Sequence, residues 1–415
     1  MFFIYRVFIN IALIFSPLII CIRLLKKKED LKRFKEKFVF NTKKKVKGKL
    51  IWFHGASVGE ILSIIPLVEK LEKNKKIKQI LITSNTLSSS KILSNLKLKK
   101  TVHQFFPIDT NYHTQKFLDY WDPSVAFFID SEIWPNMIQN IKKRSTSLIL
   151  INARITIKSF KKWKIFSAGA KNLFEKFDLC LSSNLKSIKC LKKLGAKKIK
   201  FFGNLKFTES EKNKNDLDDR LKKFFLSKKI WCASSTHNTE EKICANVHKK
   251  LKTKYKNLLT IIIPRHIHRT KEIIEQIKKL NLKVHLHNSK NKIKKDADIY
   301  LVNSFGQTKS FFKICKTVFL GGSIIKHGGQ NPLEAARFGC KILHGPNIWN
   351  FDEIYNLLKK YKVSSNVTSS DQLSFKLDKI LNNKDKHKNL EIKIKNLGNK
   401  ILTSSLNEIN FYINK

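Results

Sequence analysis

From Lys49 onward, short apolar runs alternate with helical stretches, and they do so in two successive series. The first series reads as strands at Leu50–His54, Gln79–Thr83, Val102–Pro107, Val125–Asp130, Ser147–Asn152, Leu179–Ser182 and Ile199–Gly203. The second reads as strands at Ile230–Ser234, Leu259–Pro264, Val284–His287, Ile299–Val302, Val318–Gly321 and Lys341–Gly345. Helical segments such as Ile61–Leu71 fall between most of them. This alternation implies parallel sheets covered by helices on both faces. A chain of 415 residues suits two cores better than one. The polar, charged stretch Asn204–Arg220 reads as a linker between them. The expected fold class is α/β, with two Rossmann-like doubly wound domains facing across a cleft, where the carboxyl ends of the strands bind ligands. The expected division is 26–205 for the first domain, 206–225 for the linker, 226–385 for the second domain and 386–415 for a Lys- and Asn-rich terminal helix.

Residues 1–25 read as an N-terminal membrane anchor. Val7–Ile22 is largely apolar, interrupted by Asn10, Ser16 and Pro17. A full span wants roughly 20 residues, so the run is marginal unless Arg6 snorkels. No small-residue cleavage site follows, so the expectation is an uncleaved helix, spanning or interfacial. Arg23, Lys26, Lys27, Lys28, Lys32, Arg33, Lys35 and Lys37 come next, which keeps the following domains on the cytoplasmic side and suits an anionic leaflet.

The formal net charge of +51 draws such a chain toward nucleic acid, anionic lipid or a phosphorylated substrate. Evenly sprinkled lysines are also simply solvated. Aromatic residues sit mainly inside the expected strands and helices rather than interleaved with Lys and Arg, which disfavours a nucleic-acid partner. The seven cysteines form no C-x-x-C pair, so neither a zinc site nor a disulfide framework is signalled, and a reducing compartment fits.

The strands of both series end in loops that can carry chemistry. His54-Gly55-Ala56-Ser57-Val58-Gly59-Glu60 follows the first strand. Ser57 and Glu60 have capping-box spacing; Glu60 equally suits a general base. Ser131-Glu132-Ile133-Trp134-Pro135-Asn136 follows the strand ending at Asp130, and Gly203-Asn204-Leu205-Lys206-Phe207 closes the series. In the second half, Ser235-Thr236-His237 and Pro264-Arg265-His266 follow successive strands, and the planar Arg265 fork suits a phosphate or a pyrimidine edge. Thr317–Gly339 reads as strand, Gly-rich loop and helix start, with Asn331 as N-cap, Pro332 at the first helical position and Glu334 at the third. Free N–H groups behind glycines make a phosphate site; an ordinary well-capped βα turn would read the same way. His266 and His268 lack further metal ligands nearby, and Asp216-Leu217-Asp218 lies in the linker as a helix start, so no metal site and no cofactor are expected.

Taken in order, these motifs resemble the 3-deoxy-D-manno-oct-2-ulosonic acid (Kdo) transferases of lipid A biosynthesis, which have the two-Rossmann glycosyltransferase B fold. The resemblance rests on His54–Glu60, Ser131–Asn136, Asn152-Ala153-Arg154, Gly203–Lys206, Ser235–His237, Pro264–His266 and Gly321–Glu334. It implies an inverting, metal-independent transfer of Kdo from CMP-Kdo to a lipid A precursor, lipid IVA, at the cytoplasmic side of a bacterial inner membrane. It implies Glu60 as catalytic base and Glu132 and Lys206 as transition-state support. It implies a CMP site formed by Pro264, Arg265, Phe305, Gly306, Gln307, Asn331, Pro332, Leu333 and Glu334. Two segments depart from the family pattern. Asn303-Ser304-Phe305-Gly306-Gln307 replaces an Asp-Thr-Met-Gly-Glu turn, and Ala335-Ala336-Arg337 replaces Pro-Ala-Ala. Two other readings compete: a transferase of the same fold using a UDP-sugar, and a basic, membrane-tethered nucleic-acid or lipid-binding protein.

Overall fold

The structure is a computed structural model that describes residues 2–96, 98–208, 217–287, 293–304, 306–382 and 389–414. It divides into two units, Met1–Lys212 with Leu397–Lys415, and Asn213–Asn396.

The first unit is built on a seven-stranded sheet: β1 (Leu50–His54), β2 (Gln79–Ser84), β3 (Thr101–Phe105), β4 (Val125–Ile129), β5 (Ser147–Ala153), β6 (Leu179–Ser182) and β7 (Ile199–Phe201). Their spatial order is β3-β2-β1-β4-β5-β6-β7, and every pairing is parallel. β1, β2 and β4 are buried along their whole length, because helices cover both faces. Trp52, Phe117 and Phe128 fill one side of that core, and Phe53 stacks on Phe127. The chain order reverses between β1 and β4, which sets the switch point of a doubly wound sheet.

The second unit repeats the plan with β8 (Lys229–Thr236), β9 (Leu258–Pro264), β10 (Val284–Leu286), β11 (Ile299–Leu301), β12 (Thr317–Leu320), β13 (Lys341–His344) and β14 (Ser364–Asn366). The order is β10-β11-β9-β8-β12-β13-β14, again all parallel, with the reversal between β8 and β12. The charged stretch read as a linker includes residues 209–216, outside the described part. Beyond it Asp218 caps the helix Asp219–Leu226, accepting the Arg220 N–H at 2.7 Å. The last helix, Leu390–Asn414, places its residues from Leu397 onward in the first unit. There Gly398 packs so tightly on Phe207 that a Cβ would lie 2.5 Å from its carbonyl oxygen.

The helix Phe2–Leu25 is long and apolar enough to cross a membrane. Its less exposed residues, Phe2, Tyr5, Ile9, Leu13, Ser16, Ile20 and Arg23, recur every three or four positions and mark one face. The opposite side exposes Phe3, Phe8, Ile14, Phe15 and Leu18. Part of the basic stretch behind it is used internally. Arg23 and Lys37 both reach the buried Glu29 carboxylate at 2.6 Å, and Arg33 reaches Glu36 at 2.8 Å.

Candidate active site

Two carboxylates flank the switch point of the first unit. Glu60 sits in the first turn of the helix Val58–Leu71, which leaves β1 through a tight turn at Gly55. A Cβ on Gly55 would meet the Ile129 side chain at 2.9 Å and Glu60 Cβ at 3.2 Å, so the turn passes close to its neighbours there. The capping box expected from the spacing is present. The Ala56 N–H donates to Glu60 Oε2 at 2.6 Å, and the Ser57 hydroxyl donates to Oε1 at 2.8 Å. Glu132 follows β4. It accepts the Trp134 indole N–H at 2.8 Å and lies 3.3 Å from Nε2 of the buried His54. Nδ1 of His54 is in turn 3.0 Å from the Thr83 hydroxyl.

The two carboxylates are electrostatically unlike. Burial, followed by the negative charge of Glu132, pushes Glu60 above the ordinary carboxylate range, despite its hydrogen bonds to Ser57. Burial also works to raise Glu132, but the hydrogen bond and charge of His54, with the Trp134 N–H, outweigh it and hold Glu132 low. One carboxylate is thereby kept ionised while its neighbour is made more basic.

Lys206 reaches the same end of the sheet through a chain of supports that the spacing of its motif did not reveal. Its ammonium pairs with Asp130 at 3.1 Å. Asp130 also accepts the Asn152 side-chain amide, and Asn152 Oδ1 accepts the Leu205 N–H at 2.9 Å. Asp130 and Asn152, at the ends of neighbouring β4 and β5, both hold positive φ, 54° and 55°. That conformation is tolerated best by Asp, Asn and Gly and is common where backbone is held for function. The clue in the sequence was a polar Asp and Asn at matching ends of adjacent apolar runs.

In the second unit the corresponding strand ends carry the remaining expected residues. Pro264 closes β9, with Arg265 exposed behind it. Gly306 and Gln307 follow β11, and Asn331–Glu334 follow β12; Phe305 lies outside the described residues. Gly306 holds φ +81°, a conformation that glycine adopts without strain. The helix after the Gly-rich loop starts later than expected, spanning Leu333–Arg337, with Pro332 rather than Asn331 in the N-cap position and Glu334 second rather than third. Asn331 still caps locally, accepting the Leu333 N–H at 3.1 Å. The Gly-rich loop itself is gathered by the fully buried Glu240. Its carboxylate accepts backbone N–H bonds from His237 (3.0 Å), Gly322 (2.7 Å), Ser323 (3.1 Å) and Ile324 (3.0 Å). A Cβ on Gly321 would lie 2.5 Å from the Ser235 carbonyl oxygen. The His237 and His327 rings lie tilted against each other, with centroids 4.2 Å apart. Burial, then the neighbouring His327, His266, Arg265 and Arg269, push it down to about 4, so its ring is neutral at neutral pH. Among the described residues no group of three or more His, Cys, Asp or Glu is placed to hold a metal ion.

Residues 32–209 match the family described as 3-Deoxy-D-manno-octulosonic-acid transferase (kdotransferase). The 3-deoxy-D-manno-octulosonic acid transferase of Rickettsia bellii is 33% identical over 376 residues, covering 90% of this chain and 90% of that protein. The chain belongs to this transferase family. A probable mitochondrial 3-deoxy-D-manno-octulosonic acid transferase of Arabidopsis thaliana is 31% identical, covering 91% of this chain and 86% of its own length. Among solved structures, UDP-GlcNAc 2-epimerase from Neisseria meningitidis bound to UDP-GlcNAc superposes with a TM-score of 0.59 at 12% identity, over 86% of this chain and 100% of that one. That likeness concerns the fold: two doubly wound units of glycosyltransferase B type. Membership in the Kdo transferases makes the protein a glycosyltransferase.

Proposed function

We propose that the protein transfers Kdo from CMP-Kdo to a lipid A precursor, lipid IVA, by direct displacement with inversion and without metal, at the cytoplasmic face of the inner membrane. The observation that carries this reading is the unlike pair at the first switch point: Glu60 made more basic, Glu132 held ionised beside it. In the reaction, Glu60 takes the proton of the attacking sugar hydroxyl. The hydroxyl oxygen forms its bond to the anomeric carbon as the bond from that carbon to the CMP phosphate oxygen breaks. The departing phosphate takes the electron pair. Cations offset the charge that it gains; Arg265, in the unit that binds the nucleotide, fills that role, and Lys206 is assigned to transition-state support in the first unit. Glu132 helps keep Glu60 basic by its negative charge. In the second unit, the Gly-rich loop held by Glu240, with Pro264, Arg265, Gly306, Gln307 and Asn331–Glu334, binds the nucleotide, and Glu334 accepts ribose hydroxyls. The apolar outer face of the helix Phe2–Leu25 and the exposed Lys26, Lys27, Lys28, Lys32 and Lys35 hold the enzyme at the surface where its acceptor resides.

Incubation with CMP-Kdo and a tetraacylated lipid A precursor, followed by mass analysis of the lipid, tests this. The expected product is heavier by whole Kdo residues. Consumption of a UDP-sugar, with CMP-Kdo left intact, would favour the other donor class and overturn the proposal.

A further inference from the structure

The N-terminal helix does more than expose an apolar face. Two polar residues near its start bind the part of the first unit that carries Glu132. The Tyr5 hydroxyl donates to Asp109 Oδ2 at 2.8 Å, and Arg6 Nε donates to Asn136 Oδ1 at 3.0 Å. Asp109 is 1% exposed and takes two further bonds, from the backbone N–H groups of Asn136 (3.0 Å) and Met137 (2.8 Å). The Asn136 side chain returns a bond to the Asp109 carbonyl at 2.6 Å. Asn136 and Met137 occupy the first turn of the helix Pro135–Lys143, whose own N-cap, Trp134, has no side chain able to satisfy those donors. Asp109 is therefore the cap of this helix, supplied from another part of the chain. Trp134 in turn donates its indole N–H to Glu132. Phe2 adds an apolar contact to the same core.

We propose that Asp109 is a positioning residue for the transfer reaction, and that the N-terminal helix, through Tyr5 and Arg6, holds it and thereby sets the loop that presents Glu132. The inference rests on the functional reading of Glu132 given above. The path is Tyr5, Asp109, the first turn at Asn136 and Met137, Trp134 and the Glu132 carboxylate, with a hydrogen bond or a peptide linkage at every step. None of Tyr5, Arg6 or Asp109 touches the reacting atoms. A helix serving only to tether the enzyme needs apolar residues on its outer face and no hydroxyl aimed at a buried carboxylate.

The test uses the full-length enzyme reconstituted in phospholipid vesicles, and compares Tyr5→Phe with Ile14→Ala, which alters only the outer face, where Ile14 is 74% exposed. Hydrogen exchange at Asn136 and Met137 is read beside kcat and the donor KM. In Tyr5→Phe, loss of the hydrogen bond to the buried Asp109 raises exchange at these two amides about tenfold and lowers kcat by a similar factor. Donor KM and the melting temperature stay near those of the parent. Ile14→Ala leaves exchange at these two amides unchanged. Asp109→Asn follows Tyr5→Phe more strongly, and if it fails to fold the Tyr5 variant still decides. Unchanged exchange in Tyr5→Phe would overturn the proposal, as would raised exchange with an unaltered kcat. If the parent enzyme transfers no Kdo, the functional reading falls separately, while exchange still decides whether Tyr5 holds the loop.

Discussion

At the scale of single residues, Glu60 serves both as a structural cap and as the proposed base. Both readings of the Ser57-x-x-Glu60 spacing were open in the sequence, and the structure shows the cap in place. The two roles separate in Glu60→Gln, because glutamine also completes a capping box. Transfer in that variant is expected to fall by roughly two to four orders of magnitude while its melting temperature stays close to that of the parent. The pH profile offers a second check. A base with a raised pKa is active when deprotonated, so the rate falls as pH drops through that pKa, above the ordinary carboxylate range. Burial is the first cause of the shift and the Glu132 charge the second. In Glu132→Gln the acid limb of the profile should therefore move to lower pH, whatever happens to its height. A limb that does not move would show that the two carboxylates are uncoupled. A separate effect concerns stability. Burial pushes Asp109 up to about 7, against the pull of Tyr5 and two backbone amides. Its folded pKa lies above its unfolded one, so its contribution to stability is complete below the unfolded pKa and is lost as pH rises through about 7. Denaturant titrations should show a fall in stability over that window, and Asp109→Asn should flatten it.

At the scale of elements, the loops at the strand ends are held by buried acceptors. Glu240 gathers four backbone N–H groups, and replacing it with Gln removes the charge from that set. Glu240→Gln should cost roughly 2 kcal/mol of stability and weaken CMP binding; calorimetry of both would check this. Gly321→Ala forces a Cβ into the Ser235 backbone and should cost about 1–3 kcal/mol, with loss of nucleotide binding before loss of fold. The alternating apolar runs were enough to locate the central strands of both sheets, because parallel strands buried on both faces leave a continuous apolar signature. β14 was missed: Ser364-Ser365-Asn366 is a polar edge strand, defined only by its pairing with β13. The role of Glu240 was equally hidden, and the placing of Asp130 and Asn152 at matching strand ends did not disclose their partners. Each acts on backbone or side chains far away in the chain, and nothing local in the sequence records such a partner. Asp109 lies between a strand and a helix with no motif around it, and its partners at Tyr5 and Asn136 come from two other parts of the chain.

At the scale of the whole molecule, the net charge of +51 and the apolar helix are separable contributions to the membrane attachment proposed above. Arg23, Arg33 and Lys37 are taken up by internal ion pairs, so the exposed lysines between and around them carry the electrostatic share. In sedimentation with vesicles containing anionic lipid, raising salt to 1 M, where the screening length is about 3 Å, should release only part of the bound protein. Complete release would mean that the helix face Phe3–Leu18 does not enter the bilayer. The most direct measurement is the mass of the lipid after incubating the full-length enzyme with CMP-Kdo and a tetraacylated lipid A precursor, beside Glu60→Gln. The account predicts a product heavier by whole Kdo residues with the parent enzyme and an unmodified lipid with the variant. An unmodified lipid in the first sample, or full turnover in the second, would contradict it.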